Sequence, residues 1–217
     1  MNFGIKSTFL LRVTLLLRKD SYKRELIINR RNFLSLTEGN LPATKYIMSS
    51  PVKKPEVFYF KDDGSIPNSK YPMLVFHNAF SERGERGAKW LEQRFNDNDW
   101  SNSWRNGIFS FHHYHSITHE VLGIYSGSAM VHMGGEQGSK ITIKAGDIII
   151  IPAGVGHKNL ESENLGVVGA YPGGMMYDIN YGKAGERPHA DKNIAAVPVP
   201  GTDPLLGKKN GLPDIWK

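Results

Sequence analysis

The sequence predicts an all-β fold, a sandwich or barrel carrying one short helix, on three observations. From Gly107 onward the apolar residues recur with period two, as on strands with one buried face. The strand-like segments are short and closely spaced, each bounded by Gly, Pro or charged turn residues. Glycine (23) and proline (12) run slightly high, which suits short elements joined by tight turns better than a helix bundle.

The elements follow in order. Residues 51–55, between two prolines, read as a linker. Residues 56–60 form a β-rich run ended by Asp62-Asp63-Gly64 turn chemistry. Residues 71–76 read as extended and 81–87 as a polar loop. In residues 88–95, Trp90, Leu91 and Phe95 lie apolar on one side at helical spacing; no other stretch reads as convincingly helical. Residues 96–106 are polar apart from Trp100 and Trp104. Strands are expected at 108–115, 121–125, 129–133, 141–143, 148–151 and 167–171. A hairpin loop is expected at Gly134-Gly135-Glu136-Gln137-Gly138. The run 148–151 reads as a strand buried on both sides. The Gly-, Pro- and Lys-rich tail from about residue 182 reads as an extended arm.

Composition excludes several chemistries. With 40% hydrophobic and 22% charged residues, the chain is of ordinary globular composition. It contains no cysteine, so disulfides, thiolate catalysis, iron–sulfur clusters and zinc fingers are excluded. The net charge of +6 is concentrated at the start: residues 1–54 hold 11 Lys/Arg against 3 Asp/Glu, and the remainder 16 against 18. The body of the chain is nearly neutral and lacks the basic stripe that phosphate binding needs, so no nucleic-acid partner is expected.

Residues 1–54 therefore form a basic N-terminal extension to a single domain at 55–217. Its apolar run, Phe9 to Leu17, is interrupted by Arg12 and is too short to cross a membrane. Arg30-Arg31-Asn32-Phe33-Leu34 resembles a twin-arginine export motif, but Glu38, Pro42 and Lys45 fall where its apolar stretch belongs. The first nineteen residues are basic and acid-free, as in transit peptides. The expectation is a cytoplasmic protein with a disordered tail or a true start at Met48; export or organellar import is the alternative.

Five of the eight histidines stand out: His112, His113, His115, His119 and His157. Alternation along a strand puts His113 and His115 on one face with Phe109 and Phe111, while His112 and Tyr114 point away. Glu120 shares parity with Leu122 and Ile124, which favours it over His119 as the inward residue. His157 follows a tight Pro152-Ala153-Gly154-Val155-Gly156 turn that aims it back at the sheet. His77, His132 and His189, each alone, read as hydrogen-bonded structural residues, and His112 likewise, with a supporting role open to it. Phe109, Phe111, Trp104 and Tyr125 read as core ahead of a substrate platform, although Phe109 and Phe111, on the ligand face, could be both. Gly107, Gly127, Gly146 and Gly154 read as turn formers.

The spacings Gly107-x5-His113-x-His115-x4-Glu120-x6-Gly127 and Gly146-x5-Pro152-x-Gly154-x2-His157 resemble the two motifs of the cupin superfamily. Where the second motif ends in Asn, this chain has Glu161. Further stretches are similar to the small bacterial YjlB-like cupins. They include Trp104-Arg105-Asn106-Gly107-Ile108, the run from His112 to Gly123, Val168-Gly169-Ala170-Tyr171-Pro172 and Gly185-Glu186-Arg187-Pro188. The resemblance covers about residues 55–217, with the motif core at 107–160. It implies a double-stranded β-helix, or jelly-roll barrel, and metal ligation by His113, His115, Glu120 and His157. It also makes a homodimer plausible.

Three imidazoles and a carboxylate suit one divalent transition metal ion, Fe, Mn, Ni, Co, Cu or Zn. On tetrahedral zinc these ligands close the site; on an octahedral metal they leave two neighbouring positions. The reading is a metalloenzyme acting on a small polar molecule, with oxygenase chemistry ahead of a metal-dependent isomerase or lyase. The latter needs a proton-transfer residue, for which Glu120, His119 and Tyr125 are the catalytic candidates. A non-catalytic small-molecule binding module and a metal-stabilised structural protein are the alternatives.

Overall fold

A computed structural model describes residues 54–217; the expectations for the N-terminal extension lie outside the described residues. The elements run β1 (Glu56–Phe58), β2 (Met73–Phe76), α1 (Gly84–Asp97), β3 (Trp100–Asn106), β4 (Glu120–Met133), β5 (Ser139–Lys144), β6 (Ile148–Ile151), β7 (His157–Pro172), α2 (His189–Ala196) and α3 (Leu212–Ile215). The strands form one sheet in the order β1-β2-β6-β4-β7-β3, with β5 added on β4; every named pairing is antiparallel. This is the jelly-roll arrangement that the sequence predicts.

β4 is the spine. Its first half pairs β6, its second half pairs β5, and β7 runs along its other edge. Period two predicts two strands here because the inward parity switches. Leu122 and Ile124 face the barrel interior before the switch, and Ala129, Val131 and Met133 after it. A register irregularity at Ser126 to Ser128 makes the switch without breaking the strand. Gly127 sits there at φ +64°, where a Cβ would lie 2.1 Å from the Glu163 carbonyl oxygen.

Two apolar layers flank the sheet. The interior holds Met73, Val75, Leu122, Ile124, Val131, Ile149, Ile151 and Val167. The outer layer holds Leu74, Phe76, Val121, Ile148, Ile150, Val168 and Ala170 against α1. The four isoleucines of β6 thus alternate between two cores, which is why the run is continuously apolar. In α1 the buried Ala88, Leu91 and Phe95 share one face, and Glu85 and Arg94 suit the dipole at its two ends. Leu91 lies against Gly123 so closely that a Cβ there would meet its side chain at 2.5 Å. Leu91→Ala is expected to lower unfolding free energy by about 2–5 kcal/mol, measured by urea titration, because this close fit leaves a cavity.

Besides the merging of 121–125 and 129–133 into β4, α1 begins at Gly84 within the expected loop and β7 begins at His157, ten residues before the expected strand; larger differences lie elsewhere. Residues 108–115 do not form a strand: the segment makes only isolated bridges, His113 to His157 and Tyr114 to Asn180. The polar run from Trp100 is strand β3, an irregular edge strand whose bulge sends Trp100 to the outer layer and Trp104 to the interior. With most of its residues half-buried or exposed, it carries no period-two signal. The tail is more than an extended arm. It carries α2 and α3, and Leu205, Leu212 and Trp216 complete the outer core. The Trp216 indole N–H donates to the Pro72 carbonyl at 2.8 Å. No helix among the described residues is long and apolar enough to cross a membrane.

Candidate metal centre

His113 and His157 form an antiparallel backbone pair. Each N–H donates to the other's carbonyl, at 3.2 and 2.9 Å. Such a pair puts both side chains on one face, and their ring centroids are 4.1 Å apart. His115, two residues on, follows on the same side, its ring 5.6 Å from that of His113. Tyr114, between them, turns away into a small core with Ile66 and Ala190. The alternation predicted for a strand therefore survives in an extended segment that lacks a ladder. Glu120 opens β4 at the inward parity and is buried, with Oε2 3.4 Å from Nε2 of both His115 and His157.

Each of the three imidazoles approaches a backbone carbonyl through Nδ1: His113 that of Phe111 at 3.4 Å, His157 that of Val155 at 3.2 Å, and His115 that of Asp178. A carbonyl only accepts, so each Nδ1 carries the proton and each Nε2 presents its lone pair. One ligand atom from each histidine lies within 4.8 Å of the others. Glu120 Oε2 is fully buried with no hydrogen-bond partner. Four acceptors thus converge without a donor, and tying the outer ring nitrogen is how metal-bound histidines are oriented. The donor set and the orphaned carboxylate oxygen fit a divalent transition metal.

Electrostatics agree in direction. Burial and the neighbouring imidazoles push His113 down to about 3, which keeps it neutral. Burial alone would lower His115, but the Glu120 carboxylate overrides it and raises the ring. Burial would likewise raise Glu120, but His115 and His157 hold it well below the usual carboxylate range.

The remaining Glu120 oxygen, Oε1, accepts from the Tyr171 hydroxyl at 3.0 Å, which itself accepts from the Trp104 indole N–H at 2.8 Å. Burial and the carboxylate both raise Tyr171, so it stays a donor. Sequence reasoning did not single out Tyr171, although period two from Val167 puts it on the inward face. It also missed Tyr177, which stacks on Tyr171 at 5.0 Å, and Asp178, whose carbonyl orients His115. The last two sit in the connection after β7, where no periodicity marks them. Tyr171→Phe is expected to weaken metal binding by about 10–100-fold, measured by competition with a chromogenic chelator.

A cavity of about 160 Å³ opens above these groups, lined also by Trp104, Arg105, Ile108, Phe109 and Tyr177. Trp104 is therefore part of the site wall. Phe109 and Phe111 are not core: they are 45% and 44% exposed, stacked on one another at 4.9 Å, with Phe109 set edge-on to His113 at 5.0 Å. His119 is not brought to the site. Its Nδ1 accepts from the Ala153 N–H at 2.9 Å, its Nε2 faces the Pro198 carbonyl, and its ring packs on Trp216. Tyr125 lies on the outer face of β4, packed against the α1 core. His112 points away from the three site histidines, as alternation predicts.

No family model matches the chain. It is 43% identical over 166 residues to the uncharacterized protein YjlB of Bacillus subtilis (strain 168), covering 76% of this chain and 98% of that protein. Among solved structures, acireductone dioxygenase from Bacillus anthracis, with a cadmium ion in its active centre, is 17% identical with a TM-score of 0.33, over 43% of this chain and 64% of that one. A variant of Bacillus subtilis oxalate decarboxylase is 19% identical with a TM-score of 0.31, over 51% and 27%. The chain thus spans under two thirds of the dioxygenase and about a quarter of the decarboxylase. The identity to YjlB extends over nearly that protein's whole length, and the cupin motif residues meet at one site of a jelly-roll barrel: the chain belongs to the YjlB family of cupins.

Proposed function

We propose that this protein is a metalloenzyme, an oxidoreductase of dioxygenase type acting on a small chelating molecule. The observation that carries the reading is the convergence of three Nε2 lone pairs and the orphaned Glu120 oxygen at the floor of an open cavity. His113, His115, His157 and Glu120 would hold one divalent transition metal, which when bound supplies Lewis acidity and, as iron or copper, a route for oxygen chemistry. The chain's own residues do the rest. Asp178, Phe111 and Val155 fix the imidazoles through their carbonyls, and Tyr171 fixes Glu120.

The cavity volume limits the substrate to a small molecule. Arg105 lines it but is held by Glu85 at 2.8 Å and by Glu92 at 2.7 Å. Phe109, exposed and stacked on Phe111, offers a flat apolar wall to the cavity. These features support a substrate with a chelating oxygen pair and a short apolar part. An isomerase or lyase needs a free proton carrier beside the substrate. His119 and Tyr125 lie elsewhere, the Tyr171 hydroxyl is engaged, and Glu120, with Oε1 held by Tyr171 and Oε2 among the imidazoles, would be taken up by the metal, so we favour the oxidoreductase reading.

The test is oxygen uptake by anaerobically purified, iron-reconstituted protein offered catechols, diketones and thiols. Substrate-dependent uptake that is lost in His113→Ala/His115→Ala is expected. Ligand-dependent melting shifts without turnover, for iron, manganese, nickel and copper forms alike, would instead identify a binding module.

A further inference from the structure

Alternation around the site puts a second group of ligand-type side chains on the outer side of the same sheet end. His112 precedes His113 and points the opposite way. His132 and Lys158 are register partners on β4 and β7, beside the inward pair Met133 and His157. The hairpin after β4 then brings Glu136 over them. One ligand atom each from His112, His132 and Glu136 lies within 4.8 Å of the others. The two rings are 5.0 Å apart, and His112 Nε2 is 3.4 Å from Glu136 Oε1.

The His112 side chain is nine-tenths buried (10% exposed), and neither of its ring nitrogens has a hydrogen-bond partner. A buried imidazole aimed at a second imidazole and a carboxylate, with both nitrogens unsatisfied, is an exception among buried polar groups. The residue types are those that borderline divalent ions favour. Glu136 is 72% exposed on a hairpin loop, so its carboxylate can move to the distance an ion requires. Lys158 Nζ lies 2.6 Å from the same carboxylate oxygen, a cation that an incoming ion would displace.

We propose that His112, His132 and Glu136 form a second, outer site for a divalent transition metal such as zinc, with Lys158 as its built-in competitor. The outer site tethers the Gly134–Gly138 hairpin to the segment bearing His113. That hairpin is already joined to the His157 turn by the Gly134 N–H donating to the Gly156 carbonyl at 2.6 Å.

The test is equilibrium dialysis of the full-length chain against zinc alone. The unaltered chain is expected to bind about two equivalents, and the inner-site variant His113→Ala/His115→Ala about one. In that background Glu136→Gln is expected to weaken the remaining site about tenfold or more, whereas Lys158→Ala tightens it by removing the competing charge. His132→Ala in the otherwise unaltered chain removes one equivalent and leaves the inner one, so the reading does not depend on the inner-site variant folding. Zinc binding that is indifferent to Glu136→Gln, Lys158→Ala and His132→Ala overturns the outer site. Loss of zinc on His132→Ala but not on His113→Ala/His115→Ala upholds the outer site and overturns the inner one.

Discussion

Glu120→Gln is expected to stabilise the metal-free protein while abolishing most of its response to metal. In the metal-free state Glu120 presents to the imidazole acceptors a buried carboxylate oxygen with no hydrogen-bond partner, and leaving a buried polar group unsatisfied costs about 1–3 kcal/mol. The Gln amide donates to the Nε2 acceptors that now lie 3.4 Å from the carboxylate. For a chain of this size each kcal/mol moves the melting temperature by about 2–4 °C. The metal-loaded form behaves in the opposite way. Metal at a thousandfold excess over Kd stabilises the unaltered protein by about 4 kcal/mol; the variant has lost its charged ligand and keeps a minor part of that gain. Calorimetric scans of both proteins, with chelator and with added metal, give the comparison. A variant that is destabilised without metal, yet retains the full metal-induced shift, would make Glu120 a packing residue.

Gly127→Val is expected to cost about 3–5 kcal/mol, enough to leave little soluble folded protein at elevated temperature. The position combines a φ of +64°, which a β-branched residue scarcely adopts, with Cβ distances of 2.1 Å to the Glu163 oxygen and 2.4 Å to the Asn164 oxygen. These neighbours are backbone atoms of the paired strand and cannot swing away as a side chain would. Gly107→Val is the control: a Cβ there meets nothing within 4 Å, so a loss below about 1 kcal/mol is expected. Equal losses at both glycines, by chemical denaturation, would contradict the assignment of the β4 bend to Gly127.

The inner face of the sheet was legible because period two holds wherever one face is buried. Glu120, Leu122 and Ile124 share a face in the sequence pattern and in the structure, and so do His113 and His115, although no ladder forms around them. The limits arise where that premise fails. Beyond the Gly127 irregularity the inward parity of β4 shifts by one, so the sequence reads as two strands. β3 is an irregular edge strand with few fully buried side chains, so only Trp100 and Trp104 hint at it. The first half of β7 is largely exposed, and its pattern begins only at Val167. Tyr177 and Asp178 reach the site through tertiary packing of an irregular connection. Their roles in stacking on Tyr171 and in orienting His115 have no local signature. Phe109 and Phe111 show the converse: their parity with His113 is right, but hydrophobicity suggests burial, whereas the segment runs at the mouth of the cavity.

His113, His115, Glu120 and His157 are expected to hold one transition metal. The decisive measurement is metal content by mass spectrometry, on protein purified anaerobically without added metal, beside His113→Ala/His115→Ala prepared identically. Near-stoichiometric iron, manganese, nickel, cobalt, copper or zinc in the first, falling by about one equivalent per chain in the second, is the predicted result. A metal-free protein that no added transition metal stabilises, or a metal content unchanged by the double substitution, would contradict it.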